Sequence, residues 1–431
     1  MQQKQKSTGL VWFQNNLRIT DNNSLFEACK NHEKVIAVFI FDVRLFDQKI
    51  FGFSKIDKFR TKFLLETVAD LKKNLAKLNI TLLTYFDFSD ALIPNICKEY
   101  NVDEIYVQKE WTREEVEILE NVNRKIPSEI KITETYDQFL YHPNDIKMSF
   151  NTIPKVFTQL RKYLEKEISI RNEVEISKKP IENLVENTTK IPTLTQLGFD
   201  HFEQPTKSAF PFSGGESSAE KRIEYYFFET QKLGVYKKTR NGLVGTDYSS
   251  KLSAWLANGS ISAKTIYWKI KEYENKFGPN DSTYWLIFEL IWRDYFKYIS
   301  LKHGNSIFKI GGILNKEYEW NSDKDKIRKW IDGETKEPFV NANMIELKKT
   351  GWMSNRGRQN VASYFAKELE LDWRIGAAYF ESVLIDYDVH SNYGNWMYVG
   401  GVGNDPRDRK FNIKLQAERY DGDKEFQKMW D

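Results

Sequence analysis

The chain has 431 residues, which is enough for two domains. Its formal net charge of only +3 excludes a broadly basic nucleic-acid binder. Two cysteines, Cys29 and Cys97, exclude a disulfide framework, and the lack of any CxxC pair gives no sign of a metal site. The first ten residues lack the apolar segment of a signal peptide, and the longest aliphatic run, residues 35–41, is far short of the roughly 20 residues that a membrane span needs. We expect a soluble protein of the reducing cytoplasm.

The first 135 residues alternate short apolar runs with amphipathic stretches. A helix is predicted between the second and third runs, because the apolar residues from Phe59 to Leu78 fall near one helical face. Alternating strands and helices predict an α/β domain over residues 1–135 with a doubly wound, parallel, five-stranded sheet. No GxGxxG sequence follows the first run, so NAD binding is not expected. The predicted strands are residues 9–13, 35–41, 80–86, 104–108 and 130–135.

The remaining chain is predicted to form a long connector over residues 136–217 and an all-helical domain over residues 218–431. The most apolar helix, predicted over residues 283–301, carries Glu289 and Arg293 at a spacing of four. Two interpretations of these charges stay open. They form an ion pair with each other at a domain surface, or each has a functional or structural partner inside the protein.

A stretch near the carboxyl end, residues 352–406, sets many polar groups into an apolar frame. Such groups cost free energy unless they are paired, so the stretch is a candidate binding site. A helix would present Asn355, Arg358 and Gln359 together. Arg358 is expected to pair with one of two nearby aspartates, and a plain salt bridge between helices is the alternative interpretation.

Those aspartates are Asp386 and Asp388, two residues apart. They lack a third ligand at a familiar metal spacing, and His390 beside them is expected at the surface. A planar heterocycle or a ribose suits these acceptors better than a metal ion.

A loop rich in hydroxyl groups, residues 245–253, precedes another apolar helix. Its hydroxyls and backbone N–H groups could hold a phosphate. Serines at a helix start are usually caps, so this alternative also stays open.

Six motifs in order resemble the photolyase/cryptochrome family, and specifically its DASH-type cryptochromes. VWFQNNLRITDN (residues 11–22) resembles the amino-terminal signature of the family, and the resemblance extends over essentially the whole chain. The six motifs are DYSSKLS (247–253), FELIWRDYF (288–296), WMSNRGRQNVAS (352–363), LDWR (371–374), IDYDVHSNYGNW (385–396) and GVGNDPR (401–407).

The resemblance implies an amino-terminal antenna domain and a helical domain that holds FAD in a folded conformation. Arg358 with Asp386 corresponds to the ion pair beside the isoalloxazine ring, and Asn392 to the residue that faces flavin N5. Glu110 corresponds to the acid that contacts a methenyltetrahydrofolate antenna in DASH relatives. The implied FAD-binding residues are Tyr236, Ser249, Ser250, Lys251, Leu252, Ser253, Glu289, Arg293, Asn355, Arg358, Asp386, Asp388 and Asn392.

The resemblance also implies light-driven repair of a cyclobutane pyrimidine dimer that is flipped into a pocket above the flavin. Trp396, Trp373 and Trp320 correspond to a chain of electron carriers from the surface to the flavin. Core packing explains any one tryptophan, but three matches in separate motifs favour electron transfer. The implied catalytic residues are Glu289, Trp292, Asn355 and Asn392. The implied DNA contacts are Arg240, Glu289, Trp292, Asn355, Arg356, Gln359, Tyr398 and Gln416.

Two positions distinguish the DASH branch within this resemblance. Tyr398 stands where duplex-repairing photolyases carry a second pocket tryptophan, and Gln359 where they often carry methionine. Both imply a more polar pocket with less stacking on a flipped base, and such stacking contributes about 1–3 kcal/mol. A pocket of this kind favours single-stranded DNA, in which flipping costs little.

The leading hypothesis is a monomeric, FAD-dependent, photolyase-like lyase that repairs pyrimidine dimers in single-stranded DNA under blue light. The alternative is a blue-light photoreceptor whose flavin redox change alters partner binding, with little repair. A helical nucleic-acid binder without a cofactor would leave Arg358, Asp386 and Asp388 unexplained.

Overall fold

A computed structural model describes residues 7–405 and 407–431 of the chain. Residues 1–6, at the start of the predicted α/β domain, and Pro406, in the GVGNDPR motif, lie outside the described residues. The strands are β1 (Thr8–Phe13), β2 (Lys34–Asp42), β3 (Lys49–Ile50), β4 (Phe53–Ser54), β5 (Leu82–Asp87), β6 (Glu104–Gln108) and β7 (Lys131–Thr135).

The five longer strands form one parallel sheet in the order β5-β2-β1-β6-β7. Val11 in β1 pairs in register with Ala37 of β2 on one side and Tyr106 of β6 on the other. Because both faces of the sheet are covered, β1 and β2 are almost continuous apolar runs rather than alternating ones. The predicted doubly wound α/β domain is confirmed. The short antiparallel pair β3 and β4 was not predicted.

Helices flank this sheet and build the second domain, which is all-helical as the periodicity predicts. Two π-helical turns, Glu224–Glu229 and Tyr364–Glu368, extend the helices that precede them. The α-helices are α1 (Asn23–Asn31), α2 (Val43–Asp47), α3 (Lys58–Lys77), α4 (Ser89–Glu99), α5 (Arg113–Lys125), α6 (Phe157–Glu167), α7 (Glu216–Ile223), α8 (Tyr236–Thr239), α9 (Ser253–Ala257), α10 (Ala263–Phe277), α11 (Asp281–His303), α12 (Lys324–Asp332), α13 (Pro338–Thr350), α14 (Asn355–Ser363), α15 (Trp373–Val383), α16 (Val389–Gly400), α17 (Ile413–Tyr420) and α18 (Glu425–Trp430). The 3₁₀ turns are Pro143–Asp145, Phe150–Thr152, Ile181–Asn183, Lys232–Val235, Gly304–Phe308 and Gly312–Leu314.

Helix α11 is the helix predicted over residues 283–301, and it is two residues longer at each end. A capping box begins it. Asn280 Oδ1 accepts hydrogen bonds from the backbone N–H groups of Ser282 and Thr283, and the Thr283 hydroxyl accepts one from the Asn280 N–H. Most of its residues are buried, so its charged side chains must find partners within the protein.

Buried carboxylates join the two domains. Asp294 of α11 is fully buried and accepts hydrogen bonds from the backbone N–H groups of Leu140 and Tyr141, at 2.8–3.1 Å. Glu216, at the start of α7, accepts two more from backbone N–H groups that follow β1, at 2.8 and 2.9 Å. These contacts fix the helical domain against the segments that flank the sheet.

The segment predicted as a connector, residues 136–217, contains one complete α-helix, α6, whose Phe157 is buried, and the first two residues of α7. Residues 168–215 run mostly without regular structure past the sheet. Asn183 exchanges two hydrogen bonds with the backbone of Val35 in β2, at 2.8 and 2.9 Å. The domain boundaries at residues 135 and 217 stay a prediction.

None of the helices in residues 7–405 and 407–431 is both long and apolar enough to cross a membrane. Cys29 and Cys97 are free thiols. Burial raises the pKa of each to about 11, so both stay protonated at neutral pH.

Replacing Asp294 with alanine is expected to destabilise the fold, because the N–H groups of Leu140 and Tyr141 lose their acceptor. Each buried donor without a partner costs about 1–3 kcal/mol, which urea unfolding measures. Asp281→Ala is the matched control, since Asp281 lies on the same helix but its side chain is 86% exposed and its ion pair contributes at most about 1 kcal/mol. Equal stability of the two variants would contradict the assigned role of Asp294.

Candidate functional site

A cavity of ≈ 570 Å³ opens in the helical domain between α11, α14, α16 and the loop of residues 245–253. Its volume lies within the roughly 300–1,000 Å³ of typical small-molecule sites. Most residues predicted to bind FAD or a pyrimidine dimer line it, although they come from separate parts of the chain. These are Tyr236, Arg240, Ser249, Ser250, Lys251, Leu252, Ser253, Glu289, Trp292, Arg293, Asn355, Arg356, Arg358, Gln359, Asp386, Asp388 and Tyr398.

An ion pair between Arg358 and Asp386 forms part of the cavity wall. Arg358 Nη2 lies 2.9 and 3.0 Å from the two carboxylate oxygens of Asp386, and Ser253 Oγ donates to Asp386 Oδ2 at 2.6 Å. The Asp386 side chain is only 2% exposed, so its charge depends on these partners. Of the two aspartates considered for Arg358, the structure selects Asp386.

The hydroxyl-rich loop bends sharply before α9. Gly245 and Lys251 have positive φ angles of 84° and 64°. Within the described part of the chain, the backbone N–H groups of Ser249, Ser250 and Lys251 donate to no protein acceptor. Ser253 does not cap α9, because its hydroxyl bonds to Asp386 on another segment. The capping alternative is therefore wrong for Ser253, and the free N–H groups suit an anion.

Asp388 and Arg293 have partners that the sequence did not reveal. Lys297 Nζ lies 2.8 Å from Asp388 Oδ2. Burial opposes the charge on Asp388, but Lys297 above all outweighs it and holds the pKa of Asp388 well below its usual range. Arg293 donates to the backbone carbonyls of Gln138 and Leu256. The intrahelical ion pair between Glu289 and Arg293, one of the two interpretations above, does not form.

Glu289 lies where aromatic side chains border the cavity. Its carboxylate pairs with Arg240, Nη2 to Oε1, at 2.8 Å. Burial raises the pKa of Glu289, and the charge of Arg240 opposes this. Trp292 stacks on Phe157 with ring centroids 3.7 Å apart and meets Tyr398 edge-to-face at 6.2 Å. An acid and a rigid aromatic ring thus share one wall.

The first turns of α14 bring Asn355, Arg356 and Gln359 to the cavity, as the helical spacing predicts for Asn355 and Gln359. Arg356 donates to Gln359 Oε1 at 2.9 Å and to Asn241 Oδ1 at 3.1 Å. It also lies over the ring of Tyr420, 4.5 Å from the centroid. These contacts hold the guanidinium in place.

Some predicted residues do not line the cavity. Asn392 on α16 is buried and donates to the Ala377 carbonyl at 3.0 Å, while its neighbours Ser391 and Asn395 do line the cavity. Gln416 is half-buried on α17.

The three predicted electron-transfer tryptophans belong to one hydrophobic cluster of the helical domain. Trp373 and Trp396 are buried, with 0% and 2% exposure, and Trp320 is partly buried. The ring of Trp396 is surrounded by other aromatic rings, with Phe380 at 5.1 Å and Phe365 at 5.8 Å.

A second cavity, of ≈ 860 Å³, lies between the α/β domain and the helical domain. Glu110 lines it and accepts a hydrogen bond from Gln108 Nε2 at 2.5 Å. Burial, supported by the nearby charge of Glu115, raises the pKa of Glu110 to about 7. Arg293 and Asp388 line both cavities and so lie in the wall between them.

The prediction that His390 lies at the surface is wrong, because the residue is only 2% exposed. Its ring stacks on Trp111 at 4.6 Å, and its Nδ1 lies 2.7 Å from Ser300 Oγ. The polar residues around His390 in sequence gave no sign that α16 packs against α11 and Trp111.

Other lining residues were missed by the sequence prediction. Lys297 lines the second cavity. It lies one turn after Arg293 on α11, and this spacing could have indicated that both side chains share one face of the helix. Asp405, Arg409 and Phe411 follow the last helix of the site in sequence and carry no periodic pattern of their own.

Two family models match the chain. One, described as DNA photolyase, covers residues 9–181, and the other, described as the FAD binding domain of DNA photolyase, covers residues 285–430. A cryptochrome DASH of Gloeobacter violaceus is 42% identical over 425 residues, 98% of this chain and 85% of that protein. The chloroplastic/mitochondrial cryptochrome DASH of Arabidopsis thaliana is 40% identical over 437 residues, 100% of this chain and 76% of that protein. The crystal structure of a Synechocystis cryptochrome superposes with a TM-score of 0.94 at 42% identity, covering 98% of this chain and 88% of the other.

The chain belongs to the photolyase/cryptochrome family, in its DASH branch. Its helical domain is the FAD-binding domain of that family. Two polar groups of the first cavity, the serine loop and the Arg358–Asp386 ion pair, fit FAD. The free N–H groups of the serine loop suit phosphates. The buried Lys251 Nζ has no hydrogen-bond partner among the described residues, so it is a further free nitrogen at this cavity, and burial lowers its pKa well below the usual value. Arg358 with Asp386 suits the polar edge of a ring.

Replacing Asp386 with asparagine is expected to weaken FAD binding about 10- to 100-fold, because a hydrogen bond to a charged group contributes about 1.5–3 kcal/mol. Titrating the apoprotein with FAD and following flavin fluorescence measures this change. Asp332→Asn, which alters an acid in the α12–α13 ion pairs away from the cavity, serves as the control. Unchanged affinity in Asp386→Asn would show that the Arg358–Asp386 pair does not face the cofactor.

Proposed function

We propose that this protein is a blue-light-driven repair flavoprotein that splits cyclobutane pyrimidine dimers, preferentially in single-stranded DNA. The observation that supports this activity most is the arrangement at the FAD cavity of Glu289, held by Arg240, beside the rigid ring of Trp292. A protein that only changes redox state in light has no need of an acid and a stacking surface beside its flavin.

Within this proposal the serine loop holds the phosphates of FAD through the N–H groups of Ser249 and Ser250, and Arg358 with Asp386 orients the ring. When bound and reduced, FAD supplies, on absorbing blue light, the electron that opens the cyclobutane ring. Asn392 does not line the cavity, but its neighbour Ser391 does, and as a neutral amide Asn392 adds no charge close to the proposed position of the ring. The protein contributes positioning and exclusion of water.

Glu289 is proposed to hydrogen-bond the dimer. Since burial raises its pKa, its carboxyl group keeps a proton more readily than an exposed glutamate and can donate it to a carbonyl oxygen of the base. For this, the Arg240 guanidinium has to leave the Glu289 carboxyl group and bind a DNA phosphate instead. Binding of the strand would thereby free Glu289 to contact the dimer. Trp292 is held rigid by Phe157 and offers its remaining surface for stacking.

The preference for single strands is proposed from Tyr398 and Gln359. Tyr398 meets Trp292 edge-on rather than extending a flat stacking surface, and Gln359 is engaged by Arg356. A flipped base therefore stacks on one ring, and the loss of a second stacking partner costs about 1–3 kcal/mol. Single strands tolerate that loss, because no base pair has to be broken.

The second cavity is proposed to take a light-harvesting chromophore, methenyltetrahydrofolate, with Glu110 on its wall. The side chains of Arg293 and Asp388, shared by both cavities, would then separate the chromophore from FAD. Action as a monomer and location in the cytoplasm belong to the same proposal.

The experiment that tests the proposal illuminates reduced holoprotein with oligo(dT) that contains thymine dimers, as a single strand and as a duplex, and counts restored thymines. We expect repair of the single strand to exceed that of the duplex. Glu289→Gln is expected to lower repair per bound FAD about 100-fold, and Glu334→Gln, an exposed acid of a surface ion pair, to leave it unaltered. Normal photoreduction without any repair would assign the protein to the photoreceptors instead.

Trp396→Phe is expected to abolish light-driven reduction of bound FAD, because phenylalanine is a far poorer electron donor than tryptophan. Repair by chemically reduced protein should persist, since that route bypasses the tryptophans. Absorbance of the flavin under illumination measures the first effect and the dimer assay the second, with Trp268→Phe, on α10, as control. If repair is lost as well, Trp396 acts in packing rather than as a conduit.

A further inference from the structure

Trp373, the middle tryptophan of the proposed route, has surroundings that keep its indole N–H proton in place. The residue is fully buried, and Nε1 donates to the backbone carbonyl of Ile310 at 2.9 Å. A carbonyl oxygen accepts a hydrogen bond but is far too weak a base to remove the proton. Once oxidised, Trp373 therefore stays a radical cation, which is a strong one-electron oxidant.

Tyr393 lies against this indole. The two ring centroids are 6.1 Å apart in an edge-to-face arrangement. The Tyr393 hydroxyl donates to Glu381 Oε2 at 3.3 Å, and both side chains are buried, with 5% and 7% exposure. Tyr393 comes from α16 and Glu381 from α15, the helix that begins with Trp373. An oxidisable phenol with a base on its hydroxyl thus contacts the tryptophan.

We propose that Tyr393 is an electron donor to oxidised Trp373 and that Glu381 accepts the phenolic proton. The proposal rests on the tryptophan route of the proposed function and adds a branch to it. One electron passes from Tyr393 to the Trp373 radical cation, the O–H bond of Tyr393 breaks, and its proton moves to Glu381 Oε2. The products are neutral Trp373, a neutral tyrosyl radical and a protonated Glu381.

This step removes charge from a buried place. Before it, the site holds a cation on Trp373 and a carboxylate on Glu381; after it, all three groups are neutral. Buried charges are costly unless fully paired, so their removal favours the forward direction. The electron is then less able to return, which lengthens the lifetime of the separated charge.

The acid–base properties of both partners agree with this geometry. Burial raises the pKa of Glu381, against the opposing charges of Lys55 and Arg60, so its carboxylate is a better proton acceptor than an exposed one. Burial, and next the charge of Glu381, raises the pKa of Tyr393 far above its usual value. The phenol therefore keeps its proton until it is oxidised.

A path to solvent is present at the same place. Tyr393 and Glu381 both line the ≈ 860 Å³ cavity, together with Arg374 and Tyr387. When no chromophore fills this cavity, a small reductant such as a thiol or ascorbate can return an electron to the tyrosyl radical through it, while Glu381 returns the proton.

Trp320 also has a tyrosine neighbour, which makes a matched control. Tyr318 lies 5.4 Å from Trp320, and its hydroxyl donates to Asp408 at 3.0 Å. Asp408, however, is engaged by Lys367 at 2.6 Å. Although burial works against it, this hydrogen bond lowers the pKa of Asp408. The Lys367 ammonium also lies over the Tyr318 ring, 5.1 Å from the centroid, and disfavours its oxidation.

The test is a blue-light flash on FAD-loaded protein with oxidised flavin, followed by transient absorption and by rapid-freeze EPR with ring-deuterated tyrosine to identify the radical. In wild type we expect a tryptophan radical cation to decay as a tyrosyl radical appears. In Tyr393→Phe the tyrosyl signal should vanish and the tryptophan radical persist. Glu381→Gln, which keeps the hydrogen bond but not the base, should also suppress the tyrosyl signal. Tyr318→Phe should behave as wild type.

Circular dichroism and FAD content verify that each variant is folded. A tyrosyl signal that survives in Tyr393→Phe, or disappears in Tyr318→Phe, overturns the proposal. A wild-type tryptophan radical with no tyrosyl radical also overturns it, while the proposed tryptophan route stands. Absence of both radicals in protein loaded with FAD shows instead that the tryptophan route itself fails.

Discussion

Buried charge on helix α11 is the constraint on which the rest of the structure depends. An apolar helix that carries Arg293, Asp294 and Lys297 is stable inside a domain only if each charge has a partner, because an unpaired buried charge costs several kilocalories per mole. Asp294 takes backbone N–H groups that follow the sheet, Arg293 takes two backbone carbonyls, and Lys297 takes Asp388. The sheet, the serine-loop helix and α16 are thereby held around one helix.

The same requirement shapes both cavities. Asp386 and Asp388 are two residues apart in an irregular segment and face opposite partners, Arg358 on α14 and Lys297 on α11. Each pair fixes one side of the segment, so the backbone before α16 has little freedom to shift. Because Asp388 and Arg293 line both cavities, the wall between the FAD cavity and the interdomain cavity is made of side chains whose positions are already determined by pairing.

The proposed DNA contacts and the proposed electron-transfer residues lie in two different regions of the helical domain. Glu289 and Trp292 are on one wall of the FAD cavity, where the proposed function places the DNA strand. The tryptophans and Tyr393 lie behind it in the aromatic core, where Tyr393 and Glu381 reach the second cavity. The proposed function, with electrons moving through the core and DNA bound at the surface, requires these two regions to be distinct, because water at the tryptophans would allow early proton loss.

The sequence by itself determined the parallel sheet, the helical domain and the family, because these depend on periodicity and on ordered motifs that are local in the chain. It also placed Arg358, Asp386 and the serine loop in one site. It did not determine that His390 is buried, that Lys297 takes Asp388, or that Glu289 pairs with Arg240 rather than Arg293. Only the tertiary structure decided these, because the partner of a buried polar group is chosen by contacts between segments far apart in sequence, which no local pattern encodes.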